Sequence, residues 1–136
     1  MTAGYDPNPM PDTQEPAIDA PPVRRFKTSG HVPLAATLGG LRQRIDQLDE
    51  QIIALLAQRA LCVRDATRFK LNAVEVAAPA RQAEVFQRAR ALAARDPTFP
   101  GLPDIVEASY RALVAGFVAA EGRFFLDTEP IVATTP

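Results

Sequence analysis

Leu41 to Asn72 reads LRQRIDQLDEQIIALLAQRALCVRDATRFKLN and contains neither glycine nor proline. Leu41, Ile45, Leu48, Ile52, Leu55, Val63 and Ala66 recur at helical spacing, the pattern of one apolar stripe on an amphipathic helix. The helix is expected to start near Leu38 or Leu41, after the breakers Gly39 and Gly40, and to end near Asn72. At 1.5 Å per residue, about thirty residues reach roughly 45 to 50 Å, well beyond a compact unit of about ninety residues. Two shorter helices cannot cover it, so part of the stripe is expected to pack on a second protomer as an intertwined homodimer. A simple coiled-coil seam fits less well, because charge interrupts the stripe.

Working outward, a second helix is expected from Pro79, tolerated in a first turn, to Asp96, just before Pro97. Pro97, Pro100, Gly101 and Pro103 make a stiff turn, and a third helix runs from about Asp104 to Phe125. Asp104 suits its cap, with Glu107 three positions on. No stretch shows convincing strand alternation, which makes the class all-α. The organisation expected is a disordered or extended proline-rich tail over 1–36, a helical domain over 37–126 and a loose tail over 127–136. Seven of the thirteen prolines precede Leu34, and that segment has too few large apolar residues to offset its ordering entropy. Its Arg24-Arg25-Phe26-Lys27 cluster is read as a solvated surface.

A formal net charge of −1 on 136 residues removes the basic surplus that nucleic-acid binding needs. Cys62 and His31, one of each type, exclude an intramolecular disulfide framework and argue against a metal cluster. Neither a secretory signal nor a membrane-length apolar run is found. The expectation is a cytoplasmic protein that uses no metal or other cofactor.

The informative charges sit where a helix should be apolar. At about 100° per residue, Arg59 falls in the middle of the first stripe, and Lys70 returns to within about 20° of it. Arg64 and Arg68 lie about 140° and 180° from Arg59, on the face where solvated charges belong. Arg81 shares a side of the second helix with Val85 and Leu92. In the third, Glu121 is ringed at helical spacing by Tyr110, Val114, Phe117, Val118, Phe124 and Phe125. Buried cations without anions cost several kcal/mol, so Arg59 and Lys70 either snorkel from the core's edge or meet carboxylates from the protein or a ligand. Glu121 is either a buried ion-pair partner for them or a carboxyl whose pKa burial has raised. Arg42 lies about 100° off the stripe, where it either points toward another chain or takes an ordinary surface position.

Leu41-Arg42-Gln43-Arg44-Ile45-Asp46-Gln47-Leu48-Asp49, Leu55-Leu56-Ala57-Gln58-Arg59 and Phe69-Lys70 resemble the long first helix of the all-helical chorismate mutases. Arg81 and the Glu121-Gly122 pair extend the likeness from about Leu41 to Phe125. The resemblance implies an intertwined dimer of three-helix chains with two equivalent sites and no cofactor. Each site would take Arg59, Lys70 and Arg81 from one chain and Arg42 from its partner. Arg42 and Arg59 would hold the carboxylates of a small dicarboxylate, chorismate, which rearranges to prephenate in aromatic amino acid biosynthesis. Lys70 would reach the ether oxygen that gains charge as the carbon–oxygen bond breaks.

Two positions depart from the family pattern. Many members carry glutamine where Glu121 stands, so Glu121 is expected to work protonated, as a donor. Ala78 and Gln82 stand where many members have Asp and Glu. Gln82 can still bond a substrate hydroxyl, whereas Ala78 offers only its backbone. Thr67-Arg68-Phe69-Lys70, with Ala78-Pro79 before Arg81, also resembles the isochorismate pyruvate lyases on the same fold. A non-catalytic helical dimer is the third reading.

Overall fold

The computed structural model describes residues 16–28 and 30–131. The outer parts of both expected tails, residues 1–15 and 132–136, therefore lie outside the described residues, as does residue 29. Among the described residues the elements are helical: α1 (Leu38–Ala66), a 3-10 turn (Thr67–Phe69), α2 (Ala73–Ala77), α3 (Pro79–Ala93) and α4 (Leu102–Leu126). The chain forms two compact units, one up to Leu55 and one from Leu56 onward.

In the first unit, α1 opens at Leu38, the earlier of the two expected starts. Thr37 caps it, its hydroxyl accepting from Gly40 N–H at 3.1 Å, which satisfies one of the free amides of a first turn. Gly39 and Gly40 stand inside that turn because neighbouring chain presses on it. A Cβ at Gly39 would come within 3.1 Å of the Ile18 carbonyl oxygen, and one at Gly40 within 3.1 Å of Ala35 Cβ. Gly39 N–H donates to the same Ile18 carbonyl at 2.9 Å, and Arg44 Nη1 donates to Leu34 O at 2.8 Å. Part of the expected tail is thus bonded to the start of α1. Along α1, Ile45, Leu48, Ile52 and Leu55 are all more than half exposed.

The second unit is built on α4, against which α2, α3 and the 3-10 turn pack. Its buried apolar side chains are few: Val76 on α2, Phe86 and Ala89 on α3, and Val114 on α4. Arg111 lies over the Phe86 ring at 4.6 Å, and Arg90 reaches across from α3 to Asp104 on α4 at 2.6 Å.

The connection after α1 differs from the expected continuous helix. Helical bonding tightens into the 3-10 turn at Thr67, ahead of Asn72, and Lys70 is extended at φ −99 and ψ 133. A short helix, α2, then forms because Asn72 caps it: Asn72 Oδ1 accepts from Glu75 N–H at 3.0 Å, while the Glu75 carboxylate accepts from Leu71 N–H. These reciprocal bonds resemble a capping box.

The start of α4 also departs from expectation. Gly101, at φ 84, is the residue before α4, and the helix opens at Leu102 with Pro103 in its first turn. A positive φ suits glycine, which has no Cβ to clash. Asp104 is therefore a first-turn residue paired with Arg90, and Glu107 pairs with Arg111 at 3.5 Å instead of closing a capping box.

Candidate active site

A cavity of about 300 Å³ opens in the second unit, walled by the end of α1, the connection through α2, the start of α3 and the middle of α4. Arg59, Lys70, Arg81, Gln82 and Glu121 all line it, so five of the six site residues expected from sequence share one space. Arg42, the sixth, belongs to the other compact unit and is not among the lining residues. Cys62, Val63, Ala66, Val76, Ala77, Val85, Val114, Phe117 and Val118 supply most of the remaining wall.

Arg59 is half-buried on α1, with its guanidinium over the rings of Phe117 at 5.1 Å and Tyr110 at 5.9 Å. Such stacking stabilises a cation by about 0.5–2 kcal/mol. Hydrogen bonding is incomplete, because Arg59 Nη1 is buried without a partner among the described residues. The guanidinium has thus lost water at that nitrogen and gained only aromatic faces in return.

Lys70 owes its place to the end of α1. Its N–H donates to Thr67 O at 3.2 Å, closing the turn, and its extended backbone leaves the helix direction. The side chain is half-buried and lines the cavity.

Glu121 on α4 is only 6% exposed, and its Oε1 has no hydrogen-bond partner among the described residues. Burial holds the carboxyl above its ordinary pKa, and the Lys70 charge draws it down in smaller measure. Sequence left two options for Glu121, an ion pair or a carboxyl with raised pKa. Among the described residues no ion pair within 4.0 Å joins it to Arg59 or Lys70.

Arg81 and Gln82 hold the opposite rim. Arg81 is less buried than its apolar-side register implied: its side chain is 63% exposed and pairs with Glu84. Exposure of that order makes the pair weak in water, so Arg81 remains available to an anion in the cavity. The Gln82 amide NH₂ donates to Ala77 O, which leaves its carbonyl oxygen as an acceptor. Ala78 sits between them at φ 42 and ψ 59, left-handed for a residue with a Cβ. Its carbonyl accepts from Gln82 N–H at 3.0 Å, which starts α3 at the Ala78-Pro79 junction.

The two arginines assigned to the far face of α1 are indeed away from this cavity. Arg68 pairs with Asp65 at 3.0 Å, and Arg64 lies over Phe124 at 5.2 Å. Cys62 and the α2 residues were missed by the sequence reading. Cys62 follows Arg59 by three positions, the spacing that brings helical side chains onto one face, so Arg59 itself was the available signal. The α2 turn carried only its Asn72 and Glu75 cap signal, between the expected end of the first helix and the expected start of the second.

The family model for chorismate mutase type II matches residues 41–122. The chain belongs to that family. The match includes all six candidate residues, Arg42 among them, and ends just beyond Glu121. No curated protein matches the chain. As a chorismate mutase-type chain, it has an all-helical fold and a cavity whose lining holds three cations and one carboxyl among mostly apolar residues. No helix among the described residues is long and apolar enough to cross a membrane.

Proposed function

We propose that the protein converts chorismate to prephenate, using the cavity between α1, α3 and α4 and no cofactor. The observation that carries this reading is the Arg59 guanidinium, desolvated in a cavity wall with Nη1 unpaired. A buried donor in that state costs about 1–3 kcal/mol, more when charged, and a substrate carboxylate would remove the penalty. Arg81 on the rim and Lys70 beside Glu121 surround the rest of a small dianion.

The rearrangement is pericyclic, so it requires no nucleophile, metal or proton transfer. What accelerates it is capture of the compact substrate conformer and stabilisation of charge on the ether oxygen as the carbon–oxygen bond breaks. The Lys70 ammonium donates to that oxygen from one side. Protonated Glu121 donates from the other, a role that its raised pKa favours. An enzyme must lower the barrier by at least roughly 8 kcal/mol and one well-aimed donor gives about 3 to 4. Lys70 and Glu121 together approach that minimum, and conformer selection by the arginines adds to it. Gln82, with its amide turned to Ala77 O, offers its carbonyl oxygen to the substrate hydroxyl.

Arg42 enters this scheme from a second copy of the chain. Support comes from α1, where Ile45, Leu48, Ile52 and Leu55 remain more than half exposed. Four buried apolar side chains among the described residues are also a thin core, as expected where a second chain covers the rest. The intertwined homodimer, two sites per dimer and a cytoplasmic place in aromatic amino acid biosynthesis form one reading.

The deciding assay offers chorismate and isochorismate separately. Loss of chorismate absorbance with prephenate formed supports the proposal. Salicylate fluorescence and pyruvate from isochorismate alone would replace it with the lyase activity, which Ala78-Pro79 and Thr67-Arg68-Phe69-Lys70 favour. Turnover of neither would leave a non-catalytic dimer.

A further inference from the structure

Cys62 has no part in the rearrangement, yet its side chain lines the same cavity as Arg59, Lys70 and Glu121. It is exposed and not in a disulfide. The wall around it is built for a ligand: Glu121, 6% exposed, lines the same space with Oε1 unpaired, as does Arg59 with Nη1 unpaired. Three cations, Arg59, Lys70 and Arg81, stand against one carboxyl in that lining. A cleft with an excess of one sign and apolar walls raises the local concentration of oppositely charged small molecules and speeds their arrival. A compound that carries both carboxylates and an electrophilic sulfur would therefore be gathered beside the thiol.

We propose that Cys62 is a covalent modification site for anionic disulfides, and that its adduct and the dicarboxylate substrate exclude one another. Mutual exclusion rests on the functional reading above; the reactivity of the thiol does not. The step is thiol–disulfide exchange. The Cys62 thiol gives its proton to solvent and Sγ attacks one sulfur of the reagent. A new S–S bond forms as the reagent's own S–S bond breaks, and the electron pair leaves with the departing half as a thiolate. Cys62 is thereby oxidised to a mixed disulfide, half of the reagent is reduced, and no further oxidant is required. A dithiol reductant reverses the change.

The chain has one cysteine, so every thiolate released by the folded protein reports Cys62. The full chain is treated with dithiobis(nitrobenzoate), an aromatic dianion, and in parallel with neutral dithiodipyridine. Each rate is divided by that reagent's rate with a neutral free thiol. At low ionic strength the dianion is expected to be favoured by at least about tenfold. The preference should shrink toward parity near 1 M salt, where the screening length falls to about 3 Å. Chorismate should slow both reagents, and the adduct, located on the Cys62 peptide by mass, should abolish activity until it is reduced. Cys62→Ser should release no thiolate and keep its own untreated activity through the same exposure.

Equal normalised rates, or release only after unfolding, would overturn the inference whether or not chorismate is turned over. A salt-sensitive preference for the dianion with no protection by chorismate and no turnover would leave the thiol site standing and remove the functional reading.

Discussion

Glu121→Gln is expected to turn a pH-dependent enzyme into a nearly pH-independent one. Glu121 is buried with Oε1 unpaired, and burial raises its pKa against a smaller opposing pull from Lys70. Only the protonated carboxyl can donate to the ether oxygen; the ionised form would repel the charge developing there. Below its pKa, wild type should therefore match the glutamine variant within a few-fold. Above it, wild-type kcat should fall about tenfold per pH unit, as one proton is lost. The floor lies about 10² to 10³ lower, the usual loss of one well-placed donor. Stability has its own sign. A carboxyl whose pKa is raised on folding contributes fully below its unfolded pKa, and the contribution is lost as pH rises through the folded pKa. The variant's Tm advantage should thus widen with pH over the same window in which wild-type activity drops. Both are read from chorismate absorbance and thermal melts across a common pH series. An identical pH response of kcat in the two proteins would remove Glu121 from the mechanism.

Lys70→Ala should lower kcat by about 10² to 10³ while substrate affinity changes far less, measured as a split between kcat and KM. Arg59→Met should change stability by less than about 1 kcal/mol in chemical denaturation, because the lost aromatic stacking is offset by removal of an unsatisfied cation. The same variant should lose most of its substrate binding. Mixing inactive Arg42→Ala and Arg59→Ala chains should restore about a quarter of wild-type activity, since half of the dimers are mixed and each of those carries one intact site. No recovery after unfolding and refolding together would exclude a site shared between chains.

The first helix was legible because its signal is long-range and periodic. Arg59 and Glu121 were legible because each interrupts the apolar periodicity of its own helix where interruption is costly, whereas Lys70 reaches the cavity from an extended residue beyond the end of α1 and not from the stripe register expected of it. What the sequence concealed is local. Gly39 and Gly40 looked like breakers, and only the nearness of Ile18 and Ala35 explains why a helix opens through them. Asp104 looked like a cap until Gly101 took that position and Arg90 took the carboxylate. Arg81 has the register of a buried cation yet pairs with Glu84 at the rim, because α3 begins there and its first turn lies open to water. None of these contacts has a periodic signature, since each depends on a neighbour from another segment or on a single turn.

The costs in this fold are not spread evenly. Of the three buried side-chain atoms without a partner among the described residues, Arg59 Nη1 and Glu121 Oε1 belong to residues that line one cavity, as does the left-handed Ala78, while Thr67 Oγ1 belongs to a residue outside it. The left-handed conformation costs a non-glycine residue roughly 1–2 kcal/mol, and each unsatisfied buried group about 1–3. Against the roughly 5–15 kcal/mol of net stability typical of a whole protein, such a concentration would be hard to retain if the cavity served only packing. In the proposed reaction a dianion would offset the arginine penalty on binding, and an ether oxygen would offset that of a protonated Glu121 only as its charge develops. On that proposal the second compensation would be absent from the ground state, so the free energy stored in that carboxyl would be released toward the transition state, accelerating the reaction rather than tightening the substrate complex.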